Sequence, residues 1–286
     1  MSRSSALPDD TRLGRTALRV ADLTVTIEFY RDIVGLRVLD RDESRATLGV
    51  DDTPLLELLA ESSAESRDER GAGLYHNAFR VPSRAALGAA LGRIRDRWTL
   101  DGASDHGVSE ALYCTDPEGN GVEIYRDRPR EAWPRTEDGT ARAAGGPLAL
   151  SEVAAAADDA GSTGSQPAPG GTTLGHVHLE VSSLESTETF YVERLGLDIS
   201  MSFAPGARFF SAGGYHHHVG ANTWNQRSRT ADGLGLAWFE LLVPDADALE
   251  AVRERLADGG VSITETDGGI EVADPDGIAI RVRFAA

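Results

Sequence analysis

Phe29-Tyr30-Arg31-Asp32-Ile33-Val34-Gly35-Leu36 returns as Phe190-Tyr191-Val192-Glu193-Arg194-Leu195-Gly196-Leu197, an offset of 161 from 29 to 190. Asp116-Pro117-Glu118-Gly119 returns as Asp274-Pro275-Asp276-Gly277, an offset of 158 from 116 to 274. Two motifs repeated in the same order at nearly the same offset mark an internal duplication, which fixes architecture before any single motif does. The first motif reads as a helix stopped by glycine, and Asp-Pro-x-Gly has turn chemistry at every position.

Outward from these motifs, each half of the chain divides again. Arg15 to Val20 reads as a strand and Val25 to Ile33 as a helix, with apolar Val25, Ile27, Phe29, Tyr30 and Ile33 and Gly35 as the stop. Three short strands follow near 36–41, 44–49 and 54–60. A second unit opens with the strand Leu74 to Val81, continues in a helix from Pro82-Ser83 to about Arg97, and closes with strands near 110–115 and 120–126. The C-terminal half repeats both units, from Leu174 to Trp224 and from Leu236 to Phe284. The expected fold is α+β, with four βαβββ modules in two domains forming curved mixed sheets. The domains are 13–133 (modules 13–60 and 74–127) and 172–286 (modules 174–224 and 235–284). A doubly wound parallel sheet would need a helix after nearly every strand, whereas three strands follow each helix here. Residues 134–171 are low in complexity and read as a linker, within which Pro147 to Ala157 can form a short helix.

The chain has 286 residues, enough for two cores, and a net charge of −18. That charge excludes nucleic acid as an expected partner, because phosphate binding needs clustered cations. All 28 basic residues are arginine. An acidic, lysine-free surface suits a high-salt cytoplasm and follows equally from a GC-rich genome with an acidic bias. Cys114 is the only cysteine, so neither an intrachain disulfide nor a thiolate metal cluster can form, and a reducing cytoplasm is the expected location. Without long apolar runs no membrane span is expected, and Met1 to Asp10 lacks the apolar core of a signal peptide.

The histidines break the repeat. All seven lie between His76 and His218. Module two carries His76 on its first strand and Glu123 on its last. Module three carries His176 and His178 on its first strand and His216-His217-His218 on its last; by the strand period His176 and His178 share a face, while His217 faces opposite to His216 and His218. Module one has Arg15, Thr16 and Ala17 in place of the histidines, although Glu57 sits in its last strand. Module four has Ala237-Trp238, and Ile280 where Glu123 would be. Only the two inner modules hold a full set of two histidines and a carboxylate, a donor set suited to non-haem Fe(II). Each signal has a plain alternative. A strand histidine is more often a hydrogen-bonded core residue, Tyr113 a strand aromatic, His106 a surface loop residue, and the histidine run an adventitious metal binder. Glu123 is the strongest oddity, because inward carboxylates are rarely left unpaired.

The repeated Phe-Tyr-x4-Gly-Leu and Asp-Pro-x-Gly elements resemble the vicinal oxygen chelate superfamily of glyoxalases, bleomycin resistance proteins and type I extradiol dioxygenases. Three stretches resemble two-domain bacterial catechol-2,3-dioxygenases: Gly73 to Phe79, Ser104 to Tyr125, and Phe210 to Gly220 with its Tyr-His-His-His. The resemblance implies that His76, His176 and Glu123 ligate the metal, His176 rather than His178 by position. It implies that Tyr113 is the active-site tyrosine, that His217 or His216 serves in acid–base catalysis, and that His106 lies near substrate. The implied reaction is meta cleavage of a catechol by O2 to a muconic semialdehyde, with Fe(II), or Mn(II) on the same ligands. The expected partners are a small aromatic diol and O2, and a homo-oligomer is in keeping with such proteins. In most two-domain relatives the site lies in the C-terminal domain. Here modules two and three would have to pair across the linker. The competing readings are a glyoxalase-type isomerase or lyase, which would need a second carboxylate where module three has His216 to His218, and a metal-free binding module.

Overall fold

In the computed structural model, residues 7–137, 139, 141–164 and 166–285 are described. Module one comprises β1 (Arg12–Val20), α1 (Leu23–Phe29) and β2 (Arg37–Arg41), β3 (Arg45–Val50) and β4 (Thr53–Ala60). Module two comprises β5 (Gly73–Arg80), α2 (Arg84–Arg97), β6 (Gly102–Asp105), β7 (Ser109–Thr115) and β8 (Gly121–Asp127). After α3 (Leu150–Asp159), module three has β9 (Thr173–Glu180), α4 (Leu184–Glu188), β10 (Asp198–Phe203), β11 (Ala207–Ser211) and β12 (Val219–Asn222). Module four has β13 (Gly235–Val243), α5 (Ala246–Asp258), β14 (Thr264–Thr266), β15 (Gly269–Ala273) and β16 (Ala279–Phe284). The four βαβββ units and the helix inside the low-complexity segment are as the sequence led us to expect.

The repeated motifs explain the local structure. Each module helix starts from a polar side chain that accepts a first-turn N–H: Asp22, Ser83, Ser183 and Asp245. α1 and α4 each widen into a π-helical turn, Tyr30–Val34 and Thr189–Leu195. Each turn ends on a left-handed glycine, Gly35 at φ 92° and Gly196 at φ 97°. Both glycine amides bond five residues back, to the carbonyls of Tyr30 and Tyr191. The two motifs also meet. The buried Tyr30 hydroxyl donates to Asp116 at 3.0 Å and the Tyr191 hydroxyl to Asp274 at 3.2 Å. Buried Arg93 of α2 donates to the carbonyls of Ile33 and Val34, closing the first π turn. The duplicated signature is thus a clamp between the odd and the even module of each half.

The strands pair differently. One eight-stranded mixed sheet runs β14-β15-β16-β13-β1-β4-β3-β2 and the other β10-β11-β12-β9-β5-β8-β7-β6. Each sheet takes four strands from each half of the chain: modules one and four share the outer sheet, modules two and three the inner. The joins are the antiparallel pairs β1–β13 and β5–β9. One large apolar cluster, from Leu18 through Phe79 and Tyr191 to Val282, runs through both halves.

The segment 134–171 does more than connect. Gly88 lets α3 lie directly on α2, since a Cβ there would stand 2.3 Å from the Val153 carbonyl oxygen. Further upstream, the Asp105 and Gly146 backbones exchange hydrogen bonds at 2.9 and 3.0 Å.

Candidate metal centre

The inner sheet brings three donors to one point. β5 and β9 pair so that Ala78 lies opposite His176, and β5 and β8 so that Ala78 lies beside Glu123. The small alanine side chain leaves the space above it free. His76 Nε2, His176 Nε2 and Glu123 Oε2 close over it at 3.3 Å (His–His), 3.0 Å (His76–Glu123) and 3.1 Å (His176–Glu123). All three side chains are buried. Burial acts to raise the Glu123 carboxyl, but His176 and His76 outweigh it and hold the group well below the usual carboxylate range. Burial first, partly offset by Glu123, pushes His176 down to about 4. At neutral pH Glu123 is therefore ionised and His176 neutral, the protonation states in which these groups bind metals.

The donor triangle fits a cation. Edges near 3 Å are those of one octahedral face, for metal–ligand distances of about 2.1 Å. Among the described residues no fourth His, Cys, Asp or Glu donor joins the group. The reason lies in the repeat. Gly220 on β12 pairs with His178 as Glu123 on β8 pairs with Ala78. The module-three counterpart of Glu123 is a glycine, leaving one side of the centre free of protein donors.

His216, His217 and His218 do not occupy that strand position. They fall in the irregular turn before β12, so the strand alternation expected of them does not apply, and their side chains part by loop geometry instead. His217 lines the cavity and packs against His176 with ring centroids 4.0 Å apart and ring planes tilted by 49°. His216 is fully buried behind it, bonded to Asp127. His218 is buried too, with Nδ1 receiving the Ala212 amide; burial pushes it down to about 3. His178 lines the cavity beside His76, but its Nε2 is buried without a partner and outside the donor triangle.

Tyr113 on β7 is the cross-strand partner of Glu123. Burial and Glu123 raise its hydroxyl well above the usual range, so it stays protonated. It donates to His106 Nε2 at 2.8 Å, and His106 Nδ1 lies 3.1 Å from the Ala144 carbonyl, which accepts from it. Tyr113, His106 and the 143–145 stretch thus form one wall of a cavity of about 740 Å³. Phe209, Phe203, Tyr75 and Trp224 line it as well, and the last three are exposed. Deeper along β9, Glu180 is gripped by Arg67 and Arg227, each at 2.8 Å.

Sequence reading missed several contributors. Gly175 lets Tyr125 pack beside His176, since a Cβ there would sit 1.8 Å from the tyrosine oxygen. Gly121 allows β8 to approach β5, a Cβ there meeting the Tyr75 carbonyl at 2.1 Å. Glycine inside a strand next to a histidine was a usable signal. Asp127 was legible too, since it alternates with Tyr125 and Glu123 on one face of β8.

The outer sheet shows what the same positions become without a metal. By the equivalent pairings, Ala17 with Glu57 and with Trp238, the counterparts of His76, Glu123 and His176 are Arg15, Glu57 and Trp238. The Arg15 guanidinium lies 3.8 Å from Glu57, 3.7 Å from Glu240 and 5.4 Å over the Trp238 ring, and Arg281 covers the same ring at 4.0 Å. A fixed side-chain cation fills the place.

Fold and site together define a duplicated architecture with one candidate metal centre among the described residues. The family model of the Glyoxalase/Bleomycin resistance protein/Dioxygenase superfamily matches residues 12–124 and 173–282, and the chain belongs to that superfamily. Among relatives, the protein named Catechol-2,3-dioxygenase of Bacillus subtilis (strain 168) is 36% identical over 277 residues, spanning 95% of this chain and 96% of that one. A solved structure from Bacillus subtilis subsp. subtilis str. 168, described provisionally as a dioxygenase, superposes with a TM-score of 0.67 at 12% identity. It covers 98% of this chain and 86% of the other. Glyoxalase I from Zea mays superposes with a TM-score of 0.56 at 17% identity, over 96% and 92%. At such identities the structures show the fold alone.

Proposed function

We propose that the protein is an extradiol dioxygenase, cleaving a catechol beside its diol with O2 to give a muconic semialdehyde. Both oxygen atoms end in the product, so no external reductant is needed. The observation that favours this reading is the three-donor face of His76, Glu123 and His176 with Gly220 at the fourth position. A two-histidine, one-carboxylate face with open positions suits non-haem Fe(II), which would supply Lewis acidity towards the diol and the redox chemistry that O2 needs. Mn(II) fits the same donors. A glyoxalase-type site, with its second carboxylate, has no residue for it at Gly220. The relative named Catechol-2,3-dioxygenase supports the same reading.

The chain's own residues then divide the work. His76, His176 and Glu123 would hold the metal. His217, the cavity-facing member of the turn, is the base for a substrate hydroxyl. Tyr113, kept protonated, turns its hydroxyl from His106 Nε2 to donate a hydrogen bond to negative charge developing on the substrate. Phe209 and the aromatic mouth hold the substrate ring and exclude water. The test is anaerobic loading with Fe(II), then a panel of catechols with O2. A yellow ring-cleavage product with stoichiometric O2 uptake is expected; neither colour nor uptake with any catechol would reject the reading.

A further inference from the structure

A hydrogen-bonded chain runs from the cavity to the end of β8. Asp127 accepts from His216 Nε2 at 2.8 Å, from the Tyr215 hydroxyl at 3.0 and 3.2 Å, and from Arg80 at 3.3 Å. The Tyr125 hydroxyl lies 2.8 Å from that of Tyr215. His216 Nδ1 lies 2.8 Å from His217 Nδ1, and His217 lines the cavity.

The hydrogens along this chain can be counted. A carboxylate only accepts, so His216 Nε2 carries a hydrogen. With its one hydrogen on Nε2 towards Asp127, a singly protonated His216 ring has a bare Nδ1. A 2.8 Å contact between two ring nitrogens requires one hydrogen between them, and that hydrogen then belongs to His217. Neutral imidazole has a single N–H, so His217 Nε2 is bare.

We propose that Asp127 is a positioning residue that acts through His216, fixing His217 as the Nδ1–H tautomer and presenting its bare Nε2 to the substrate. The inference rests on the ring-cleavage reading, which supplies the hydroxyl. The substrate O–H bond breaks, the electron pair stays on oxygen, and an N–H bond forms at His217 Nε2. The resulting positive charge faces the Asp127 carboxylate through His216, the arrangement by which a buried carboxylate orients a catalytic imidazole. The same network would also hold the 215–218 turn if its role were structural only, so the test must read the tautomer itself.

Nitrogen-15 histidine labelling of the protein loaded with Zn(II), which is diamagnetic, reads which ring nitrogen is protonated, with the His217 signals assigned by His217→Gln. Wild type should show His217 protonated at Nδ1. Asp127→Asn and His216→Phe, which break different links, should both move the proton to Nε2, while Asp127→Glu keeps it at Nδ1. In the Fe(II) form, kcat should fall on the order of 10²-fold in the first two variants, with KM for catechol nearly unchanged, and recover most of its value in Asp127→Glu. If one variant fails to fold, the other carries the test. Wild-type His217 protonated at Nε2, an unchanged tautomer in the variants, or a flipped tautomer with unchanged kcat would each overturn the proposal. Correct tautomers in a wild type that consumes no O2 with any catechol would instead reject ring cleavage, and with it the catalytic use of the tautomer.

Discussion

Gly175 shows how tightly the centre is built. A methyl group there would stand 1.8 Å from the Tyr125 oxygen and 2.7 Å from its ring carbon. Gly175→Ala should therefore cost about 1–3 kcal/mol, the usual range for overpacking, and Tyr125→Phe should restore part of it; urea unfolding of the single and double variants measures both. The buried histidines predict a pH response. Burial holds His176 at about 4, His218 at about 3 and His178 well below 6.5, the value for an unfolded chain. Groups depressed in the folded state leave stability intact above pH 6.5 and remove it as pH falls towards the folded values, because the unfolded chain takes up the protons first. Each contributes roughly 1.4 kcal/mol per pH unit across that window. Asp274, held up at about 7 by burial, works in the opposite sense between pH 7 and its unfolded value, but the three histidines outweigh it. Metal-free protein should lose several kcal/mol between pH 6.5 and 4.5 in urea unfolding, and a flat profile would contradict the burial of these rings. His76 and Glu123 were legible in the sequence because strand period and module position assign them. Three consecutive histidines carry no period once they leave the strand, so which of His216 and His217 faces the cavity was not legible.

At the scale of elements, helices and turns were readable because their signals are local: caps at Asp22 and Ser83, left-handed Gly35 and Gly196, and the Asp-Pro-x-Gly turns. Strand partners are set by long-range register, which no local pattern encodes, so the pairing of β5 with β9 could be inferred only from where the ligands had to meet. The low-complexity segment hid its role for a similar reason. Small residues that read as flexible are the ones that permit close packing, as at Gly88 under α3. Gly88→Leu should lift α3 from α2 while sparing the sheets. Trypsin should then cut faster at Arg135 and Arg142 than in wild type; unchanged cleavage would show that α3 does not anchor the segment.

For the whole molecule, duplication accounts for the fold and loss of symmetry accounts for the site. The inner sheet concentrates a carboxylate and two imidazoles around a place for a cation. The outer sheet fills the equivalent place with the Arg15 guanidinium between Glu57 and Glu240. A buried or half-buried carboxylate stripped of its partner is destabilising. Arg15→Met should thus lower the melting temperature without touching the inner centre. The direct measurement is metal per chain after anaerobic loading with Fe(II) and gel filtration, for wild type, Glu123→Gln and Arg15→Met. The account predicts one equivalent in wild type, one in Arg15→Met and almost none in Glu123→Gln. Two equivalents in wild type, or a full equivalent retained by Glu123→Gln, would contradict it.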